Sequence, residues 1–164
     1  MNNTFIADSK ENMIKDEQTA VSINRSYLKF LRASIGIIYL WFGLLKFFRG
    51  YSPAEDLAIN TINVLSFNLI PTPANIILLA GWETLIGILL ISGLGVRIAW
   101  VSVFIHIGCT FTPLVFFPDL SFKYSPYGFT LLGQYIMKNV VILCAAILLW
   151  QEKPYIRAEQ AVNN

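Results

Sequence analysis

Long apolar stretches alternate with short polar ones along this chain. The apolar stretches run from about Leu28 to Phe48, Asn75 to Leu94, Arg97 to Phe117 and Leu131 to Trp150. A helix needs roughly 20 mostly apolar residues to cross about 30 Å of hydrocarbon, and each stretch is that long. None alternates polar with apolar positions, as strands of a membrane barrel do. The pattern predicts an all-α, integral-membrane bundle of four transmembrane helices. Only Gly95 and Val96 lie between Leu94 and Arg97, so the second and third spans are expected to form a tight helical hairpin. The domain reading is a polar leader over residues 1–27, a transmembrane domain over 28–150 and a tail over 151–164. The leader mixes Asp8, Glu11, Asp16 and Glu17 with Lys10 and Lys15. The first span follows it without a small-residue cleavage pattern, so it is read as an anchor and not a cleaved signal.

The two loops on the far side from the termini carry their own pattern. Ser52–Pro53–Ala54–Glu55 reads as a helix start, with Ser52 at the cap and Glu55 reaching back to the cap amide. Leu57, Ala58, Ile62 and Leu65 then recur at helical spacing opposite Asp56, Asn60 and Asn63, until Pro71 and Pro73. This predicts a short amphipathic helix lying on the membrane face. The alternative is a packed loop. The second loop, Pro118 to Thr130, holds Phe122, Tyr124, Tyr127 and Phe129, which suits a lid or an aromatic belt at the membrane boundary.

Composition agrees with the pattern. Of 164 residues, 55% are hydrophobic and 13% charged. That is about half the charged share of a soluble domain. The net charge of +2 and the lack of a basic tract give no nucleic-acid footprint. Lysine and arginine placement sets orientation. Lys10, Lys15, Arg25, Lys29, Arg32, Arg97, Lys153 and Arg157 fall on one side, and Lys46, Arg49 and Lys123 on the other. Both termini are therefore expected in the cytoplasm, with the chain in a bacterial inner membrane and lipid as its surroundings.

The chemistry lies in the polar residues at membrane depth, where ionisable groups are costly and mark sites or pairs. At 1.5 Å per residue, Glu83 is about 12 Å from the outer end of its span, Lys138 about 10 Å, His106 about 16 Å and Lys46 about 3 Å. Helical spacing gives each span one small or polar stripe. The stripes are Arg32–Gly36–Tyr39–Gly43–Lys46, Ala80–Glu83–Gly87, Ala99–Ser102–His106–Cys109–Thr110–Pro113, and Gln134–Lys138–Ala145 with Tyr135 and Asn139 beside it. Glu83 and Lys138 share a level and have opposite charge. They are read either as an ion pair that fixes helix register or, with His106, as a pocket for a polar headgroup or a proton. Histidine is the side chain that titrates nearest physiological pH, which suits a relay. Lys46 reads as a snorkelling rim residue that also sits on the glycine stripe. Gln134 and Asn139 complete the pocket candidates.

Cys109 and Cys144 are on different helices with no CxxC pair. Both read as small core residues, with Cys109 a redox candidate only through its place one turn from His106. No metal site is expected from one histidine, one membrane glutamate and one cysteine. No phosphate loop or nucleophile elbow is present, so no catalytic residue is assigned and no stand-alone enzyme is expected.

Three segments resemble a known family. They are Trp41–Phe42–Gly43–Leu44–Leu45–Lys46–Phe47, then Gly81–Trp82–Glu83 through Gly87 to Gly93–Leu94–Gly95–Val96–Arg97, then Gly133–Gln134–Tyr135–Ile136–Met137–Lys138–Asn139. The chain resembles the DoxX-like group of small four-helix bacterial membrane proteins, related to the DoxD-type subunit of thiosulfate:quinone oxidoreductase. The resemblance spans most of residues 30–150. It implies the four-helix fold and a redox accessory role, with a quinone as cofactor or a redox protein as partner. The absence of a thiol pair speaks against intrinsic dithiol chemistry. Two other functions stay open: a small-solute or proton pathway, and a structural or assembly protein with a buried ion pair.

Overall fold

A computed structural model describes residues 26–52 and 54–162, with side chains to Trp150. The polar leader, Pro53 of the expected cap and the side chains of the tail lie outside the described residues. Helix α1 is Ser26–Leu45. It is followed by α2 (Glu55–Leu65), α3 (Ala74–Ser92), α4 (Val96–Phe111), α5 (Pro113–Phe116), α6 (Pro118–Ser121), β1 (Phe122–Tyr124), β2 (Gly128–Phe129) and α7 (Leu131–Val162). Four helical segments have the length and hydropathy of membrane spans: Ser26–Leu45, Ala74–Ser92, Val96–Phe116 and Leu131–Trp150. The protein is a four-helix, multi-pass membrane bundle.

Each span ends where the local chemistry stops a helix. After Leu45 the chain tightens, with amides of Lys46, Phe47 and Phe48 bonding carbonyls three residues back. Such bonds are how a final turn satisfies its orphan carbonyls. The first span is therefore shorter than its apolar run, and Lys46 sits just beyond α1. The hairpin of α3 and α4 turns on Gly93 (φ 77°) and Gly95 (φ 57°), left-handed conformations that favour glycine. Pro113 lacks an amide hydrogen, which splits the third span into α4 and α5. Thr130 caps α7, its hydroxyl accepting the Gly133 amide at 3.1 Å.

Close approach of α1 and α3 depends on glycine. A Cβ at Gly87 would lie 2.5 Å from the Leu40 amide nitrogen and 2.8 Å from the Gly36 carbonyl. Lipid tails are as apolar as leucine, so such van der Waals contact holds membrane helices together better than apolarity does. The dry core fills the half of the bundle near the Gly93–Gly95 turn. Ile35, Ile86, Leu90, Ala99, Trp100, Val103, Ala146 and Leu149 are buried there. Large apolar residues such as Ile37, Leu78, Ile98 and Val141 face outward toward lipid.

The other half holds α2 and the β1–β2 hairpin. Helix α2 forms where its periodicity places it, but its start differs from the expected cap. Its first residue is Glu55, and no side chain caps the end. The Glu55 carboxylate accepts the Gly50 amide at 2.7 Å instead of that of Ser52. Asn75, almost fully buried at the start of α3, donates to Asn63 Oδ1 at 2.9 Å and ties α2 down. The second loop is built, not slack. Phe122 pairs with Phe129, Ser121 donates to the Pro113 carbonyl at 3.1 Å, and Tyr124 and Tyr127 stay exposed at its tip.

Candidate functional site

The site is assembled by three helices whose polar stripes meet above the dry core. Tyr39 from α1, Glu83 from α3 and His106 from α4 face one another, and Lys46 reaches in from the turn after α1. Lys46 Nζ donates to Glu83 Oε2 at 2.6 Å. His106 Nε2 lies 2.9 Å from Glu83 Oε1. Tyr39 Oη lies 3.2 Å from His106 Nδ1. Both oxygens of this buried carboxylate are therefore occupied.

The network fixes its own proton positions. An ionised carboxylate only accepts, so His106 must carry a hydrogen on Nε2. In a neutral imidazole Nδ1 is then an acceptor, and Tyr39 donates to it. Lys46 and His106 both direct a donor at Glu83. Aromatic edges hold the imidazole in place: the rings of Tyr39 and Trp82 make T-shaped contacts with it at 5.3 and 5.8 Å between centroids.

The cluster floors a cavity of about 340 Å³. Helix α2 forms one wall with Leu57, Ala58, Thr61, Ile62 and Leu65, and Trp82, Pro113, Tyr135 and Ile136 form others. The lining is mainly apolar, with polar groups in two places. One is Lys46 with Glu83 and His106. The other is one helical turn along α4, where Asn139 Nδ2 donates to Thr110 Oγ1 at 3.2 Å. Lys46 also approaches the Phe42 carbonyl at 3.4 Å, which leaves one of its three N–H bonds without an acceptor among the described residues.

Of the residues singled out from sequence, Glu83, His106, Lys46 and Asn139 line this cavity, as does Cys109. Lys138 and Gln134 do not. The expected Glu83–Lys138 pair is absent, and Lys46, read as a rim residue, takes the carboxylate. The cause is the rotation of α7. Its buried face is Gly133, Ile136, Ala146 and Leu149, so Gln134 and Lys138 point away from the bundle. Adjacent residues on a helix differ by about 100° of rotation, enough to move a stripe from inside to outside. Cys109 and Cys144 are both free thiols, and Cys144 is exposed on α7.

Sequence reasoning missed two parts of the site. Tyr39 was visible as a stripe member, but nothing local marks its hydroxyl as a histidine partner. The role of α2 as a cavity wall was hidden because an amphipathic helix reads the same against lipid or against protein.

The DoxX family model matches residues 27–115, more than half of the chain. The chain belongs to the DoxX family. The matched segment runs from α1 into α5, so it holds Tyr39, Lys46, Glu83 and His106, while α7 lies beyond it. No curated protein and no solved structure matches this DoxX chain.

Proposed function

We propose that this DoxX-family protein binds an uncharged amphiphile with an oxygen acceptor, a quinone, in the cavity beneath α2, as an accessory subunit to a redox partner. The supporting observation is the Lys46–Glu83–His106 cluster at the floor of an apolar cavity. Ligand sites are apolar clefts of about 300–1,000 Å³ with a few placed polar groups, and this one falls at the small end of that range. The spare Lys46 N–H suits a carbonyl oxygen. His106 and Glu83 stand ready to exchange a proton with a ligand that is reduced or oxidised by a partner. The packed half below the cavity supports a blind pocket over a through-path for solute, because below Tyr39 and His106 the Trp100–Leu149 core is apolar and only Ser102 and Arg32 continue the stripes.

In this reading the protein lies in a bacterial inner membrane with both termini in the cytoplasm, so the cavity opens in the outer half of the bilayer. The test is quinone content. Protein purified from native membranes in mild detergent is extracted and its quinone measured against protein. The expected result is near-stoichiometric quinone in the wild type and its loss in Lys46→Met. Wild-type protein free of quinone, even after incubation with added ubiquinone or menaquinone, refutes the reading.

A further inference from the structure

Lys138 is unexplained by that pocket. It is exposed two turns into α7, about 10 Å along the helix from Leu131. An ammonium facing hydrocarbon at that depth is costly and calls for a partner. Among the described residues it has no carboxylate partner. Glu83 is taken by Lys46 and His106, Glu55 accepts the Gly50 amide, and Asp56 and Asp119 lie in the loop elements α2 and α6.

The direction of the side chain is informative. Lys138 Nζ lies 4.9 Å from the centre of the Tyr135 ring. Tyr135 is one turn nearer the start of α7, so the ammonium reaches back toward the α2 end of the bundle, as helical side chains do. Gln134, also exposed, stands one turn before Lys138 on the same face. Further along that face Val141 and Leu148 are exposed and apolar. The face thus has a polar head of ammonium and amide, with the ammonium reaching back toward the α2 end of the bundle, then an apolar track running inward.

Three occupants suit a cationic membrane face: a second copy, a foreign helix with a carboxylate, or a lipid phosphate. A two-fold pairing through this face brings the same patch of both copies together, and with it two unpaired lysines. A foreign carboxylate would have no reason to match the headgroup level toward which the ammonium points. A phosphate sits at that level, takes a lysine as a point charge and accepts an amide hydrogen bond. We propose that Gln134 and Lys138 hold the phosphate of a phospholipid in the leaflet at the α2 end, with its chains along Val141 and Leu148.

Native mass spectrometry of the full chain tests this. The protein is released from detergent in the presence of dioleoyl phosphatidylglycerol or of dioleoylglycerol, which has the same chains and no phosphate. One phosphatidylglycerol should survive collisional activation that strips dioleoylglycerol. Lys138→Met should lower that occupancy about fivefold, the effect of one basic residue at an anionic lipid surface. Lys138→Arg should preserve it. Equal thermal melting of the variants shows that the fold is intact. Equal phosphatidylglycerol retention by wild type and Lys138→Met overturns the proposal. So does a dimer of the wild type that disappears in Lys138→Met. Quinone content is a separate readout, so failure here leaves the cavity reading standing, and the reverse also holds.

Discussion

Glu83 is the residue on which the site depends, because three groups are arranged around its charge. Replacing it alone leaves Lys46 as a largely buried cation with no counter-charge. Breaking a buried pair at one end costs about 3–5 kcal/mol, whereas replacing both ends by apolar groups is often neutral. Glu83→Leu is therefore expected to destabilise the bundle strongly in a denaturant titration. The Lys46→Met/Glu83→Leu double variant should recover most of that loss while still failing to hold quinone. A double variant that keeps quinone would make the pair purely structural. Tyr39→Phe removes only the hydroxyl that fixes His106 Nδ1. Losing that one hydrogen bond should cost about 1 kcal/mol in the same titration. At this scale the sequence was legible in part. Membrane depth singled out Glu83 and His106, which the fold brings together, since charge in hydrocarbon is rare whatever the fold. It paired Glu83 with Lys138, where the structure pairs it with Lys46. That choice depends on the rotation of α7 and on where α1 unwinds, and neither leaves a mark in residue spacing.

The helices themselves were far more legible. All four spans lie within a few residues of their apolar runs, because the bilayer demands a minimum length and a satisfied backbone. What spacing left open was the contact face. On α1 and α3 the glycines settle it. Gly36, Gly43 and Gly87 are buried where the two backbones nearly touch. On α7 no small-residue stripe competes with the Gln134–Lys138 pattern, and polarity pointed the wrong way. The glycine argument makes a paired prediction. Gly87→Ala places a methyl against the Leu40 backbone, which has no side chain to swing aside. Overpacking of this kind costs about 1–3 kcal/mol. Gly81→Ala and Gly108→Ala add a methyl facing open space. Those two should be neutral or slightly stabilising, since alanine exceeds glycine in helix propensity by about 1 kcal/mol. Unfolding titrations of the three variants compare them directly. Equal effects at all three positions would mean that α1 and α3 are not held by close approach at Gly87.

At the scale of the whole molecule the two halves of the bundle differ, and orientation decides what the difference is for. The half with the Gly93–Gly95 turn is dry and packed. The half with α2 carries the cavity, the buried charges and the aromatic hairpin tip. The basic residues near the spans divide unevenly, with Arg97 at the packed turn and Arg32 close by in α1, against Lys46, Arg49 and Lys123 at the cavity end. By sequence, Lys29 and the leader and tail residues Lys10, Lys15, Arg25, Lys153 and Arg157 are expected on the packed side. Orientation follows the side richer in lysine and arginine, so the packed end should face the cytoplasm. On the proposed function, a quinone would then enter from the outer leaflet, and a redox partner would be sought on the periplasmic side. Single cysteines in a Cys109→Ser/Cys144→Ser background test this. Ser125→Cys, in the exposed hairpin turn, should react with a membrane-impermeant maleimide in intact cells. Leu94→Cys, exposed in the opposite turn, should react only after the cells are opened. The reverse pattern would place the cavity in the inner leaflet, and would move the expected partner to the cytoplasm.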